Sequence, residues 1–209
     1  MTPAEAAAFI RARLPITPLP DVPGIRLHRA GPASGLGQVA SGSSPYWAYA
    51  WAGGLALARF LLDRPETVAG RRVVDVGAGS GLVGIAAAKA GAAAVVAIDR
   101  DPLAIVAIGL NAAANGVTLT AIHADPADAP VPDADIVLAG DVFYDAGLAA
   151  KMTELLARCA EKGMEVLGGD PWRAPLPLRH LRELARYEVA ETGAATRPSG
   201  VFAFRRTMG

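Results

Sequence analysis

The chain has 209 residues, of which 52% are hydrophobic and 19% charged, a composition that excludes an extended disordered chain and favours one folded domain. The 20 acidic side chains equal the 20 basic ones in number, so no net field draws the chain to nucleic acid or to membrane lipid. The one cysteine, Cys159, excludes an internal disulfide bond, and we expect it to be a small core residue.

The first residues predict a helix over residues 3–13. Thr2 and Glu5 have the spacing of a capping box, and a proline stands at the first helical position. An acid this early, and arginines within the first apolar run, argue against a signal peptide. The longest apolar stretch, residues 82–98, is interrupted by Lys89 and by two glycines, which argues against a membrane span. We therefore expect a cytoplasmic monomer that contacts neither membranes nor nucleic acid.

Residues 14–45 are rich in proline and glycine, which predicts an irregular segment with one short strand near residues 25–28. Helical spacing of apolar side chains then begins at Trp47. We therefore divide the chain into an N-terminal extension, residues 1–45, and a main domain, residues 46–209.

Beyond this boundary, strands alternate with helices, which is typical of βαβ units and a parallel sheet. The last two strands have no helix between them and predict an antiparallel hairpin. The fold class is therefore α/β, a doubly wound and mostly parallel seven-stranded sheet with a C-terminal antiparallel hairpin and an N-terminal helical extension. The predicted strands are 72–76, 94–99, 118–123, 134–139, 164–167, 187–191 and 201–205, and the predicted later helices are 81–90, 102–114, 146–160 and 177–185.

The first of these strands ends in three glycines at every second position, Gly77, Gly79 and Gly81. A strand, a tight turn and a helix start in this order bring bare backbone close to a nucleotide-like ligand. The acid inside the strand, Asp75, is awkward beside a pyrophosphate but useful beside an ammonium or sulfonium group. This points to S-adenosylmethionine as the ligand.

A dinucleotide is the alternative ligand. Residues 79–84 also match the pattern Gly-x-Gly-x-x-Gly, and Asp99 follows about twenty residues later, as that pattern requires. However, the glycines already begin at Gly77, Asp75 precedes them, and a long helical segment comes before the first strand. These observations favour S-adenosylmethionine over NAD or FAD.

The arrangement over residues 46–206 resembles the class I, seven-β-strand S-adenosylmethionine-dependent methyltransferases, which have a Rossmann-like fold. The resemblance implies that the glycine turn lies against the methionine and ribose parts of the cofactor, and that Asp75 receives the methionine ammonium directly or through water. It implies that Asp99 accepts from both ribose hydroxyls and that Asp125 accepts from the adenine amine. A solvated loop acid is the other interpretation of Asp125.

A second motif follows the fourth strand of the main domain and runs from Asp141 to Tyr144. In such a sheet the molecule that accepts the methyl group lies outside the carboxyl end of that strand. The Asn-Pro-Pro-Tyr motif of enzymes that methylate amides and base amines is absent. An acid here suits an amine acceptor, because it can orient the nitrogen and stabilise the cation that forms on it.

Aromatic walls would exclude water from such an acceptor and hold a methylated ammonium by cation–π attraction. The candidates for binding the substrate in this way are Tyr46, Trp47 and Phe143, together with Tyr144. A lysine ammonium must lose its proton before it attacks, so a desolvating wall also lowers the amine's pKa. Packing in the core is the other interpretation of Trp47 and of Trp51.

Four segments are similar to those of the protein-lysine methyltransferases that modify the β-subunit of electron transfer flavoprotein. This resemblance implies catalytic roles for Asp141 and Tyr144 and a cofactor contact at Trp51. We also expect Arg100 to bind the cofactor. It also implies a folded protein substrate. One departure is Trp172, where a small residue is expected, and we expect the larger side chain to reshape the rim of the acceptor site. The segments are Pro45-Tyr46-Trp47-Ala48-Tyr49-Ala50-Trp51, Ala97-Ile98-Asp99-Arg100-Asp101-Pro102, Gly140-Asp141-Val142-Phe143-Tyr144-Asp145 and Gly169-Asp170-Pro171.

The resulting hypothesis is a protein-lysine N-methyltransferase acting on the β-subunit of electron transfer flavoprotein, with S-adenosylmethionine as cofactor and no metal. The alternatives are a methyltransferase of small-molecule amines, a protein-lysine methyltransferase with a ribosomal-protein target, and a cofactor-binding scaffold without activity.

Overall fold

The computed structural model describes residues 1–31, 34–36, 45–128, 130, 133–191 and 196–205. The helices are α1 (Pro3–Arg13), α2 (Ala52–Asp63), α3 (Leu82–Lys89), α4 (Pro102–Ala114) and α5 (Ala146–Glu161). The strands are β1 (Ile16–Pro18), β2 (Arg26–His28), β3 (Arg72–Val76), β4 (Ala94–Asp99), β5 (Thr120–His123), β6 (Ile136–Gly140), β7 (Glu165–Asp170), β8 (Leu181–Ala190) and β9 (Thr196–Phe204). Short 3₁₀ turns lie at Tyr46–Ala48, Pro65–Thr67 and Leu178–His180.

Seven of the strands form one sheet in the order β5-β4-β3-β6-β7-β9-β8. The first five of that order are parallel, and β9 pairs antiparallel with both β7 and β8. The predicted mostly parallel sheet with a C-terminal antiparallel hairpin is therefore confirmed. The chain runs outward from β3 to β5 and then returns to β6 on the other side of β3, so the strand order reverses between β3 and β6. In open α/β sheets, ligands bind at the carboxyl ends of the strands at such a reversal.

Helices cover both faces of the sheet. Alternate side chains of each strand point to opposite faces, so that Val73 packs in the cluster with α2 and α3 while Val74 packs in the cluster with α5. Ile136 and Val137 of β6 divide in the same way. Within the described residues, no helix has both the length and the hydrophobicity that crossing a membrane would require.

The N-terminal segment docks on α4. The predicted capping box of α1 is present, because Thr2 and Glu5 exchange hydrogen bonds. The predicted strand near residues 25–28 is β2, which pairs with β1. It is tied to α4 by Asn111, whose Oδ1 accepts from the backbone N–H of His28 at 2.8 Å. The division at residue 45 stays a prediction.

One predicted helix is wrong. Residues 177–185 begin with the 3₁₀ turn and continue into β8, which is ten residues long and pairs with β9 from Leu181 to Ala190. The sequence of β8 is rich in leucine, arginine, glutamate and alanine, which favour a helix in isolation. Pairing along nearly the whole length of β9 overrides that weak preference.

Helix α2 comes unusually close to β7 because both carry glycine at the contact. A Cβ built on Gly53 would overlap the carbonyl oxygen of Gly169, and one built on Gly169 would overlap the carbonyl oxygen of Gly53. A Cβ on the neighbouring Gly54 would lie 3.5 Å from its nearest atom, an ordinary contact. The glycine at residue 53 is therefore required by proximity to the sheet.

We expect Gly53→Ala to lower the free energy of unfolding by about 1–3 kcal/mol, because overpacking against backbone forces α2 away from the sheet. Gly54→Ala is the matched control, since it adds the same methyl group to the same helix turn at ordinary contact distances and should be neutral or slightly stabilising. Urea unfolding followed by circular dichroism measures both. Equal destabilisation of the two variants would contradict the packing argument.

Candidate active site

The glycine turn after β3 has a backbone that only glycine adopts readily. The φ angles of Gly77, Gly79 and Gly81 are 67°, 53° and 80°, all in the left-handed region. Space is also short, because a Cβ on Gly77 would lie 3.1 Å from Cγ1 of Val142 and one on Gly81 would lie 3.2 Å from Cγ1 of Ile108. The spacing of the three glycines is therefore explained by conformation and by packing together.

Asp75 lies in β3 directly beneath this turn, and 1% of its surface is exposed. The backbone N–H of Gly84 donates to its Oδ2 at 2.9 Å. Burial raises the pKa of Asp75 to about 7, although the Gly84 hydrogen bond opposes the rise. The group can therefore change charge near neutral pH.

Asp99, at the carboxyl end of β4, braces the turn from the side. Its Oδ2 accepts from the N–H of Gly79 at 2.7 Å, and its Oδ1 accepts from the N–H of Asp101 at 2.9 Å. Burial raises the pKa of Asp99, and the two backbone donors lower it. On the far side, Oδ2 of Asp125 lies 4.0 Å from the guanidinium of Arg100.

A cavity of about 590 Å³ extends from the glycine turn to the end of β6. Its volume falls in the range typical of small-ligand sites. Eleven of the predicted site residues line it: Tyr46, Trp47, Trp51, Asp75, Gly77, Gly79, Asp99, Arg100, Asp125, Asp141 and Tyr144. The cavity therefore unites the two motifs that the sequence separates by about sixty residues.

Two predicted site residues lie outside the cavity lining. Gly81 is the N-cap of α3 and packs against Ile108. Phe143 was expected to bind substrate, but it is 1% exposed and its ring lies 6.5 Å from that of Phe204 in the core beneath the sheet. The expectation for Phe143 is corrected, because its side chain leaves the backbone on the core side while that of Tyr144 leaves it on the cavity side.

Aromatic rings form one wall of the cavity. The rings of Tyr46 and Tyr144 lie 5.1 Å apart, and that of Trp51 stands 5.8 Å from Tyr46 in an edge-on arrangement. The indole N–H of Trp51 donates to the carbonyl oxygen of Tyr46 at 2.9 Å, which fixes this ring. Burial raises the pKa of Tyr144 further above its ordinary value.

Trp47 also lines the cavity, but it is almost fully buried in the cluster beneath α1 and α4. The packing interpretation therefore applies to most of its surface. Its indole N–H has no hydrogen-bond partner among the described residues, which is unusual for a buried donor.

Asp141 follows β6 and has a left-handed backbone, with φ at 59°. Its carboxylate accepts from two N–H groups in the first turn of α2, that of Gly53 at 3.1 Å and that of Gly54 at 2.5 Å. It also accepts from Nη1 of Arg173 at 2.6 Å. Burial raises the pKa of Asp141, and the charge of Arg173 lowers it.

Arg173 also lines the cavity and was missed as a site residue. It bridges Asp141 and the fully buried Asp170, whose Oδ2 lies 3.0 Å from Nη1. The signal available was the Gly169-to-Arg173 segment, of which only the first three residues entered the motif. An arginine two residues after a strand-end Asp-Pro could have been recognised as its partner.

The backbone of Trp172, the residue before Arg173, is in a conformation that favours glycine. Trp172 has a φ of 57°, which favours glycine. Its ring packs edge-on against Phe202 at 5.6 Å and under the guanidinium of Arg186 at 4.4 Å, and these contacts hold the backbone in that conformation. Gly200 makes room for both rings, because a Cβ there would overlap the ring of Phe202 and lie 2.9 Å from Cζ2 of Trp172.

The site thus offers a glycine-lined cradle, three acids for polar parts of a nucleoside-like ligand, and an acid beside exposed aromatic rings. Such a set can bind and orient a ligand, strip water from an amine and stabilise positive charge. Among the residues that the structure describes, no group of His, Cys, Asp and Glu is arranged to hold a metal ion.

Solved structures share the fold. The ribosomal protein L11 methylase of Lactobacillus delbrueckii subsp. bulgaricus superposes with a TM-score of 0.53 at 23% identity, over 72% of this chain and 77% of that one. The magnesium protoporphyrin IX methyltransferase of Synechocystis PCC 6803 with bound SAM gives a TM-score of 0.54 at 19% identity, over 74% of this chain and 78% of that one.

Curated relatives are more similar in sequence. The electron transfer flavoprotein beta subunit lysine methyltransferase of Danio rerio is 40% identical over 71% of this chain, and that of Homo sapiens is 37% identical over 72%. The matched region is 60% of each of these relatives, so the chain spans about three-fifths of their length. The ribosomal protein L11 methyltransferase of Xanthomonas euvesicatoria is 40% identical over 48% of this chain and 32% of its own.

The model of one protein family, described as ribosomal protein L11 methyltransferase (PrmA), matches residues 57–165. That match begins in α2, contains the glycine turn and the Asp141-to-Tyr144 motif, and ends at the start of β7. Because it covers just over half of the chain, the chain belongs to the PrmA methyltransferase family.

Proposed function

We propose that this protein is an S-adenosylmethionine-dependent protein-lysine N-methyltransferase that modifies the β-subunit of electron transfer flavoprotein. The observation that carries the proposal is the single cavity in which the glycine turn and its acids meet Asp141 and the exposed ring of Tyr144. The substrate is supported by the relatives at 37–42% identity that are named for lysine methylation of that subunit.

The residues of the cavity fit the cofactor. Left-handed glycines leave the turn without side chains where a ligand must approach the backbone, and the carboxylates of Asp99 and Asp125 are acceptors suited to ribose hydroxyls and an adenine amine. Asp75 is suited to an ammonium group, directly or through water. S-adenosylmethionine, when bound, supplies an electrophilic methyl group on a sulfonium. Trp51 and Arg100 complete the proposed cofactor-binding set.

The acceptor lysine must arrive as a free amine, because an ammonium has no lone pair to attack carbon. Tyr46 and Tyr144 lie at the cavity mouth with 46% and 40% of their surfaces exposed, so they can enclose an incoming alkylamine. Removing water around the amine disfavours its charged form and releases the proton to solvent. After transfer, the same rings and the carboxylate of Asp141 stabilise the cationic product.

The hydrogen bonds that Asp141 already accepts limit its role in the reaction. A carboxylate has about four acceptor positions, and three of these are used by Gly53, Gly54 and Arg173. One position remains for the acceptor nitrogen. Asp141 is therefore better suited to orient the amine and balance its charge than to carry its proton away.

Ribosomal protein L11 is the second candidate substrate. It is favoured by the description of the matching family model and by the relative with 40% identity over about half of this chain. The two substrates require the same chemistry at the cavity and differ in what docks around its mouth.

We also propose that the protein is a cytoplasmic monomer whose partner is its protein substrate. The equal numbers of acidic and basic side chains support the proposal that it binds neither nucleic acid nor membrane, because no net charge attracts a polyanion.

Incubation with radiolabelled S-adenosylmethionine and purified β-subunit of electron transfer flavoprotein should label lysine side chains of that subunit, as read by mass spectrometry. Asp141→Asn keeps the shape of the side chain without its charge and should reduce the rate at least about 10-fold. Asp128→Asn, an exposed acid outside the cavity, is the matched control. Label on L11 alone, on free amines alone, or on no acceptor would overturn the proposed substrate.

Asp99→Asn should weaken binding of S-adenosylhomocysteine by about 10- to 100-fold, since charged hydrogen bonds contribute roughly 1.5–3 kcal/mol each. Titration calorimetry measures the affinity, and Asp128→Asn again serves as the control. Because Asp99 also braces Gly79, the melting temperature of each variant is compared. Unchanged affinity in a folded Asp99→Asn variant would remove Asp99 from the cofactor site.

Asp75 should make the fold less stable as the pH rises. Its pKa is about 7 in the folded state and near the ordinary aspartate value when unfolded, so between these values the folded chain holds a proton that the unfolded chain has lost. The stability of Asp75→Asn relative to the wild type should therefore increase by roughly 2–3 kcal/mol from pH 5 to pH 8. Urea unfolding at both pH values tests this, and a constant difference would contradict it.

A further inference from the structure

Arg173 lies at the centre of a network of charges at one end of the cavity. Its Nη1 donates to Oδ1 of Asp141 at 2.6 Å and to Oδ2 of Asp170 at 3.0 Å, and its Nη2 lies 3.9 Å from Oε1 of Glu191. Its own backbone N–H donates to the other oxygen of Asp170 at 2.7 Å. The Arg173 side chain is therefore fixed at both ends, by its guanidinium and by the backbone N–H at its base.

The two carboxylates that it bridges lie at the carboxyl ends of different strands, Asp141 directly after β6 and Asp170 at the end of β7, and both are removed from water. Asp141 is 9% exposed and Asp170 is fully buried. Two carboxyl groups in one desolvated site repel each other, and without a cation one of them keeps a proton. Burial raises the pKa of each, and Arg173 lowers both.

The remaining charged groups around Asp141 are few. On the side of α2 it meets only the N–H groups of the first helical turn, which contains no ionisable side chain. From the β8–β9 hairpin, Glu191 reaches Arg173 and is itself 3.4 Å from Arg197. On the cavity side, Tyr144 and the buried Asp75 share the lining. Among the residues that the structure describes, Arg173 is thus the cation in direct contact with Asp141.

We propose that Arg173 is a positioning residue that keeps Asp141 ionised and aimed at the methyl acceptor, so that the cavity presents a fixed negative charge to the amine. This inference rests on the proposed function. Neutralising Asp141 would remove the charge that balances the methylated ammonium. Displacing the Asp141 carboxylate would also leave the N–H groups of Gly53 and Gly54 without their acceptor.

The test compares Arg173→Met, Arg173→Lys and the control Arg182→Met, which replaces an exposed arginine of β8 that does not line the cavity. The kcat for methylation of the flavoprotein β-subunit is measured from pH 5 to pH 9. In Arg173→Met the acidic limb should move up by about 1–3 pH units, since a neighbouring arginine lowers an aspartate pKa by that much. In Arg173→Lys the shift of the acidic limb should be smaller, because the positive charge is kept. The affinity of both variants for S-adenosylhomocysteine should change less than threefold.

A second readout does not depend on the substrate. The carboxyl ¹³C resonance of Asp141, assigned by its loss in Asp141→Asn, should titrate at higher pH in Arg173→Met and, to a smaller extent, in Arg173→Lys. If Arg173→Met does not fold, Arg173→Lys decides by the same shift. An unchanged titration midpoint, or a uniform loss of kcat without a shifted limb, would overturn the role of Arg173. Absence of label with the wild type would instead overturn the proposed substrate.

Discussion

The first N–H groups of α2 donate to carboxylates that come from distant parts of the chain. Ala52 donates to Glu191 at 3.2 Å, and the next two residues, Gly53 and Gly54, donate to Asp141. A helix start that is buried needs such partners, because water cannot reach its unpaired donors and the helix dipole favours negative charge there. The close approach of α2 to the sheet and the position of Asp141 therefore depend on each other.

This arrangement explains why the cavity lies where it does. The strand order reverses between β3 and β6, so their carboxyl ends diverge toward helices on opposite faces and leave a crevice. The glycine turn forms one side of this crevice and Asp141 the other. A carboxylate that caps α2 also faces the crevice, so a single side chain links the stability of the fold to the charge presented to a ligand.

The structure also shows how one unusual residue is accommodated near the cavity. Trp172 occupies a left-handed backbone position for which glycine is better suited, and Phe202 and Arg186 hold its ring. Its side chain is directed to the β8–β9 hairpin, while the next residue, Arg173, lines the cavity. The unexpected tryptophan therefore packs on the hairpin, and Arg173 contacts Asp141 and Asp170 beside it.

The sequence by itself determined the alternation of strands and helices and the glycine turn, because these depend on local periodicity and on the backbone freedom of glycine. It also placed Asp99 and Asp141 at strand ends, which a parallel sheet brings to one edge. Only the tertiary structure decided that β8 is a strand, that Phe143 faces the core and that Arg173 meets Asp141. Each of these depends on contacts between residues far apart in the chain, and no local pattern encodes the partner.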